Sequence, residues 1–224
     1  MVWSCLVSIL PGMAQTEKLT DYVNPFVGTD GYGNVYPGAQ IPFGGIQISP
    51  DTDSRFYDAA SGYKYNHLTL MGFSLTHLSG TGIPDLGDFL FIPGTGEMKL
   101  EPGTHEDPDQ GYRSRYSHDK EWASPNYYAV ELADYGVKAE MTSGVRSGMF
   151  RFTYPESDNA FIMIDMNHTL WQSCEWSNLR MINDSTITGY KLVKGWGPER
   201  HVYFTATFSK KLTGLRFVQD KKPV

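Results

Sequence analysis

Residues 128–141 read YAVELADYGVKAEM and contain two short runs in which apolar side chains alternate with small or charged ones. The first run covers residues 128–132 and the second covers 137–141, with Asp134-Tyr135-Gly136 between them. A period of two is typical of a strand with one buried face, and a glycine-containing turn between two such runs is typical of a hairpin. The segment therefore predicts two antiparallel strands.

Further strand patterns surround this hairpin. Residues 149–154 place Phe150 and Phe152 on one face, and residues 161–164 form an apolar run typical of a strand covered on both faces. Residues 186–190 and 201–208 add two more strands. Since the strands are short and no helical period is strong, we predict an all-β fold, an antiparallel β-sandwich over about residues 20–218. The residues predicted to be largely buried are Phe150, Phe152, Ile162, Ile164, Val202 and Phe204.

The overall charge argues against one class of partner. The 224 residues include 19 Lys and Arg against 25 Asp and Glu, which gives a net charge of −6, and no basic run is present. Binding to a phosphate backbone depends on clustered positive charge. We therefore expect no nucleic acid partner.

Residues 1–14 have the order of a secretory signal peptide. An apolar run is followed by Pro11-Gly12 and by a small residue on either side of Met13, which predicts cleavage after Ala14. The run is too short to span a bilayer. No Lys or Arg precedes it, so the leader is incomplete or its start is misassigned; the alternative is an N-terminal strand that packs on the domain. We expect a secreted or periplasmic protein without a membrane span.

Glycine and proline are frequent between residues 24 and 111, in loops that either carry binding groups or only connect strands. Many aromatic residues lie among polar ones, and their rings suit stacking on the apolar faces of sugars while neighbours bind hydroxyl groups. The alternative for each ring is burial in the core. These aromatic residues are Tyr22, Phe26, Tyr32, Tyr36, Phe56, Tyr57, Tyr63, Tyr65 and Trp196.

The acidic residues do not reveal a catalytic or metal site. A glycosidase needs two carboxylates across one sugar ring, and nothing singles out such a pair, so solvated loop acids are the simpler interpretation. Asp51-Thr52-Asp53 begins like a calcium loop but lacks the later Gly and Glu. The residues alone therefore single out no catalytic residue and no metal ligand. The acids considered are Asp85, Asp88, Glu106, Asp107, Asp109 and Asp119.

A series of motifs in order along the chain resembles the N-terminal signature of glycoside hydrolase family 92. The matching strings are VNPFVGT (23–29), YPGA (36–39), PFG (42–44), SGY (61–63), GFSLTHLSGTG (72–82), YSH (116–118), ASP (123–125), KGW (194–196) and RHVYF (200–204). The resemblance covers nearly the whole chain after residue 20, and so many ordered strings make it specific.

The resemblance implies a secreted, calcium-dependent, inverting exo-α-mannosidase that acts on mannose-containing glycans of glycoproteins. In that family a β-sandwich of the galactose-mutarotase-like supersandwich type precedes an (α/α)₆ barrel, which carries the acid, the base and most calcium ligands. Residues 20–224 are expected to form the N-terminal sandwich, truncated before the barrel and inactive as a fragment. The barrel and a mannose-containing glycan are its implied partners, and calcium is the implied cofactor of the full-length enzyme, with ligands mainly outside this chain.

The resemblance also implies a set of substrate-binding residues in the loops 24–29, 56–63 and 76–82. Tyr57 stands where the family often has a Trp that faces the leaving-group sugar, so the preferred linkage stays open. His77 either hydrogen-bonds the substrate or is a buried histidine that holds a turn. Two other functions compete, namely a stand-alone carbohydrate-binding module and a structural domain that docks on a partner. The substrate-binding residues so implied are Phe26, Gly28, Tyr57, His77 and Ser79.

Overall fold

The regular structure of the protein is β-strand, joined by turns and short 3-10 helices, in a computed structural model that describes residues 17–54, 57–219 and 222–223. The proposed leader, residues 1–14, lies outside the described residues. The 3-10 helices are Leu19–Tyr22, Tyr57–Ala59, Pro108–Gln110 and His118–Lys120. The strands are β1 (Ala39–Gln40), β2 (Gln47–Asp51), β3 (Thr69–Leu70), β4 (Gly72–Ser74), β5 (Leu90–Thr95), β6 (Ser114–Arg115), β7 (Glu121–Ser124), β8 (Tyr127–Leu132), β9 (Val137–Ser143), β10 (Gly148–Thr153), β11 (Ala160–Asp165), β12 (Ser173–Asn183), β13 (Thr186–Lys194), β14 (Arg200–Thr207), β15 (Val218–Gln219) and β16 (Lys222–Pro223).

Two antiparallel sheets pack face to face and form the sandwich. One has the order β1-β2-β4-β5-β11 and the other has the order β10-β9-β8-β7. Ile48 and Phe73 from the first sheet pack in one cluster with Val130, Ala139 and Met141 from the second, and all five side chains are buried. Removing this apolar surface from water is the main favourable contribution to folding. The predicted antiparallel β-sandwich is confirmed.

The hairpin predicted from residues 128–141 is strands β8 and β9. Val130 pairs with Ala139 and Leu132 pairs with Val137, in antiparallel register across the turn at residues 133–136. These four side chains face the sandwich core, and Gly136 takes a φ of +63° that favours glycine in the turn. The alternating pattern therefore predicted both the pairing and the buried face.

The six residues predicted to be largely buried are half-buried instead. Strands β10, β11 and β14, which carry them, each lie at the edge of a sheet in the part of the chain that the structure describes. An edge strand has a neighbour on one side only, so its side chains keep part of their surface exposed. Residues 161–164 are likewise half-buried on both faces of β11, so the cover predicted for both faces is partial. The six residues are Phe150, Phe152, Ile162, Ile164, Val202 and Phe204.

A third sheet, with the order β12-β13-β14, packs against one side of the sandwich. Phe204 of β14 points inward, with its ring 4.5 Å from that of Phe89 and 6.0 Å from that of Phe91. Lys191 and Val193 of β13 are also buried, whereas the alternate residues face outward. This sheet therefore presents one face to the core and one to the surroundings. Among the described residues, no helix is long and apolar enough to cross a membrane.

Candidate functional site: an aromatic cleft

Three aromatic side chains line an open cleft of about 650 Å³ beside the third sheet. Tyr57, Trp171 and Trp196 are each more than half exposed. The ring of Tyr57 stands perpendicular to that of Trp171, with centroids 4.4 Å apart. Exposed rings held against one another offer an apolar surface that a ligand can cover. The rest of the lining is Ile83, Pro84, Gln172, Ser173, Lys194 and Gly195.

The backbone around Trp171 is held in an unusual conformation. Trp171 has a φ of +63°, a left-handed value that a bulky residue rarely adopts. On one side of it, the Leu170 amide donates to the carbonyl of Leu86 at 3.0 Å. On the other side, Nε2 of Gln172 donates to the carbonyl of Pro84 at 2.6 Å. These two bonds fix the segment against the 83–88 loop and keep the indole in the cleft.

A buried ionic network lies next to the cleft and contacts it through Asp85. The Asp88 carboxylate lies 3.0 Å from Nζ of Lys191, also pairs with Arg200, and accepts a 2.7 Å hydrogen bond from the Thr76 hydroxyl. Asp85 accepts a 3.2 Å hydrogen bond from the backbone amide of Trp196. Burial alone would raise the pKa of Asp88, but the charges of Lys191 and Arg200 outweigh it and hold the pKa below its ordinary value. The network ties the 76–88 loop to strands β13 and β14.

His77 belongs to a second buried cluster. Its Nδ1 lies 2.7 Å from the carbonyl oxygen of Gln47, and its Nε2 lies 2.7 Å from Oδ1 of Asp51. Both of these oxygens only accept hydrogen bonds, so they hold the ring from two sides and pair His77 with the Asp51 carboxylate. The other carboxylate oxygen, Oδ2, lies 2.7 Å from Nε2 of His168. The His77 side chain is fully buried, so it offers no surface to a ligand in this arrangement.

The Asp51 cluster makes the stability of the domain sensitive to acid. Burial alone would raise the pKa of Asp51, but the charge and hydrogen bonds of His77 and His168 hold it well below its ordinary value. A lowered pKa in the folded state stabilises the protein above the carboxyl pKa of the unfolded chain, about 3.9. We expect the free energy of unfolding to fall as the pH drops below about 4, toward the folded-state pKa.

Urea unfolding at a series of pH values tests this dependence. The Asp51→Asn variant is expected to lose part of the acid dependence, whereas Asp184→Asn, which removes an exposed carboxylate, is expected to keep it. An unfolding free energy that does not change between neutral pH and pH values well below 4 would contradict the assignment of charge to Asp51.

The other predicted substrate-binding residues lie apart from one another. Phe26 packs edge-to-face against Tyr65, with ring centroids 5.8 Å apart. Gly28 has a φ of +84°, and an added Cβ would lie 2.9 Å from a methyl carbon of Val35, so glycine is required for this turn. Ser79 is exposed. Of the five predicted substrate-binding residues, Tyr57 lies in the aromatic cleft.

The buried carboxylates of the described residues are engaged with basic side chains. Calcium takes roughly 6–8 oxygen ligands, with carboxylates prominent among them. Each buried carboxylate in this part of the chain already has a basic partner, and no group of three or more His, Cys, Asp or Glu is placed to hold a metal ion. The buried acids are Asp51, Asp53, Asp85, Asp88, Glu121 and Glu140.

The fold and the cleft define an all-β domain that presents aromatic rings and hydrogen-bonding groups on an open surface. Residues 22–224 match the sequence profile of the glycosyl hydrolase family 92 N-terminal domain. The chain therefore belongs to glycosyl hydrolase family 92, of which it contains the N-terminal domain, and the resemblance drawn from the sequence motifs is confirmed.

Several relatives share parts of the sequence and the fold. An uncharacterized secreted glycosidase from Arthroderma benhamiae is 30% identical over 139 residues, which is 61% of this chain and 17% of that protein. The structure of ccman5, a family GH92 glycosyl hydrolase, is 28% identical with a TM-score of 0.69, over 83% of this chain and 26% of that one. A family GH92 inverting mannosidase from Bacteroides thetaiotaomicron shares the fold at 24% identity with a TM-score of 0.65, over 85% of this chain and 25% of that one. The chain thus spans about a quarter or less of the length of these relatives.

Proposed function

We propose that this chain is the carbohydrate-contacting part of a secreted, calcium-dependent, inverting exo-α-mannosidase that acts on mannose-containing glycans of glycoproteins. The observation that carries the proposal is the cleft of Tyr57, Trp171 and Trp196 in a domain of this glycosidase family. The secreted glycosidase and the inverting mannosidase among its relatives support the choice of reaction and of location.

The chemistry of the cleft suits one or two sugar rings. A pyranose has apolar C–H faces that stack on aromatic rings, and hydroxyl groups that need hydrogen-bonding partners. Tyr57 and Trp171 offer two perpendicular aromatic surfaces, while the exposed Ser173 and Lys194 supply polar groups in the lining. The cleft volume of about 650 Å³ is within the range of small-ligand sites. Tyr57 is proposed to stack on the leaving-group sugar.

Catalysis is proposed to require groups from a C-terminal (α/α)₆ barrel. Inversion needs an acid and a base about 6.5–9.5 Å apart, on opposite sides of the sugar ring. The buried carboxylates of the described residues are all paired with basic side chains, which leaves them poor candidates for either role. The acid, the base and most calcium ligands are therefore assigned to the barrel, and this chain is proposed to be inactive alone.

The remaining proposals concern the leader, the bounds of the sandwich domain and the other predicted site residues. Residues 1–14 are proposed to be the leader and residues 20–224 the sandwich domain of a secreted or periplasmic enzyme. Phe26, Gly28 and Ser79 are proposed to contact substrate where the sandwich meets the barrel, since binding sites favour domain interfaces. His77 is proposed to hold its loop through Asp51, because its ring is fully buried.

Calorimetric titration with an α-linked mannose oligosaccharide tests the role of the cleft. We expect the chain to bind the sugar and Trp171→Ala to weaken binding by at least about tenfold, since the substitution removes one stacking surface. Tyr57→Ala is also expected to weaken binding of the sugar.

Tyr32→Ala is the matched control, because Tyr32 is an almost fully exposed ring in another loop. It is expected to leave the affinity unchanged. Equal affinities of the wild-type, Trp171→Ala and Tyr57→Ala proteins would remove the cleft from the proposed function.

A further inference from the structure

A row of aromatic rings crosses the outward face of the third sheet, away from the core. The ring centroids of Trp176 and Tyr190 are 5.1 Å apart, and those of Tyr190 and Tyr203 are 4.6 Å apart. Trp176 is 54% exposed and Tyr203 is 71% exposed, so the row is open to solvent. We call these three residues the aromatic row.

The strand register explains why the three rings meet. Tyr190 of β13 pairs directly with Tyr203 of β14. On the other side, Tyr190 pairs with Asn178 of β12, which puts Trp176 at the diagonal position. Direct and diagonal neighbours on one face of a sheet are within reach of aromatic side chains. Each strand of the sheet therefore contributes one ring, and the sheet holds the three rings in place.

Hydrogen-bonding groups border the aromatic row. The hydroxyl of Tyr190 lies 2.7 Å from Nδ1 of His201, and Nε2 of His201 lies 2.6 Å from a carboxylate oxygen of Glu199. On β12, Glu175 pairs with Lys194 at 3.2 Å. These groups place hydrogen-bond donors and acceptors beside the rings, where the hydroxyl groups of a stacked sugar need partners.

The aromatic row is continuous with the aromatic cleft. Residues 190, 192 and 194 alternate with buried residues along β13, so they share the outward face. Lys194 at the end of that line also borders the cleft, as does its pairing partner Ser173. Four residues of a strand span roughly 13 Å, a distance that a short oligosaccharide covers.

We propose that the aromatic row is a second carbohydrate-binding surface, a platform on which the pyranose rings of a neutral glycan stack as the glycan extends beyond the cleft. The proposal relies on the proposed function for the kind of sugar. The net charge of −6 on the chain disfavours an anionic glycan, and the mixture of aromatic rings with hydroxyl, amide and imidazole groups matches the two sides of a pyranose. The platform would select glycans of several sugar units over single sugars.

Affinity electrophoresis of the full chain in gels that contain soluble α-mannan tests this surface. We expect α-mannan to retard the wild-type chain and the double variant Trp176→Ala, Tyr203→Ala to lose about tenfold in apparent affinity. The same variant is expected to bind α-methyl mannoside as the wild-type chain does, because the cleft is intact. Tyr32→Ala serves as the control for loss of an exposed ring, and dextran replaces α-mannan as the control polysaccharide.

The outcomes separate the platform from the cleft. If the double variant is retarded as strongly as the wild-type chain, or if α-mannan retards neither protein, the platform proposal is overturned. If Trp171→Ala abolishes retardation as well as α-methyl mannoside binding while the double variant keeps both, the cleft alone binds the glycan. If Trp171→Ala abolishes only α-methyl mannoside binding, the platform stands.

A dimer of the wild-type chain that the double variant cannot form would assign the row to a second copy of this chain. Because all these substitutions are at exposed positions, the melting temperatures of the variants are expected to stay near that of the wild-type chain.

Discussion

Replacing His77 with alanine is expected to destabilise the domain by about 3–5 kcal/mol, which is the cost of removing one partner of a buried ion pair. Asp51 is fully buried, and among the described residues its carboxylate would keep His168 as its remaining basic partner. Gln47 and Ser74 would also lose their contacts with the ring. For a domain of this size the melting temperature is expected to fall by roughly 6–20 °C, measured by calorimetry.

His201→Ala is the matched control, because His201 also pairs with a carboxylate but on the surface. It is expected to change stability by less than about 1 kcal/mol. An unchanged melting temperature in His77→Ala, together with lost sugar binding, would overturn the structural role and restore the alternative of direct contact with substrate. His77→Gln keeps one hydrogen-bonding group, so its melting temperature is expected to lie between those of the wild-type protein and His77→Ala.

The purified chain is expected to show no hydrolysis of 4-nitrophenyl α-mannoside or of mannobioses, with or without added calcium. Positioned acid and base groups contribute about 10²–10⁴-fold each to such reactions. The buried carboxylates that the structure describes pair with His, Lys and Arg side chains, and the acid and the base are proposed to lie on the barrel. Release of nitrophenol over long incubations at high protein concentration is the measurement.

A family 92 mannosidase that includes the barrel is the positive control, assayed at the same calcium concentration. Calcium-dependent turnover that stays with this chain through every purification step would contradict the assignment of catalysis to the barrel. Loss of that turnover on removing one carboxylate of this chain would identify the missing catalytic group.

The sequence predicted the parts of the fold that depend on local pattern. The alternation in residues 128–141 identified β8, β9 and their buried face. It did not show which strands would lie at sheet edges, because strand order depends on contacts between distant segments. Phe150 and Ile162 carry the apolar pattern of core strands, yet each lies on an edge strand and stays half-buried.

The candidate site was only partly predictable. Tyr57 and Trp196 attracted attention as aromatic residues among polar ones, and both line the cleft. Trp171 was not among the aromatic residues singled out, although it also lies among polar residues, between Thr169 and Gln172. The exposure of Trp171 depends on a left-handed backbone conformation, which the identity of the residue does not predict.

The buried ionic clusters could not be predicted from the sequence. Asp51 and His168 are 117 residues apart, and Asp88 and Arg200 are 112 residues apart. Acidic loop residues such as Asp85 and Asp88 therefore read as solvated, and only the packing of the third sheet on the 76–88 loop brings them to their basic partners.

Saturation-transfer difference NMR of this chain with α-methyl mannoside tests the central claim most directly, because it reports contact between the protein and the sugar without requiring turnover. The cleft of Tyr57, Trp171 and Trp196 predicts transfer of saturation to the protons on one face of the sugar ring, reduced in Trp171→Ala and unchanged in Tyr32→Ala. Absence of transfer to the sugar at high protein concentration, or transfer that Trp171→Ala leaves intact, would contradict the account.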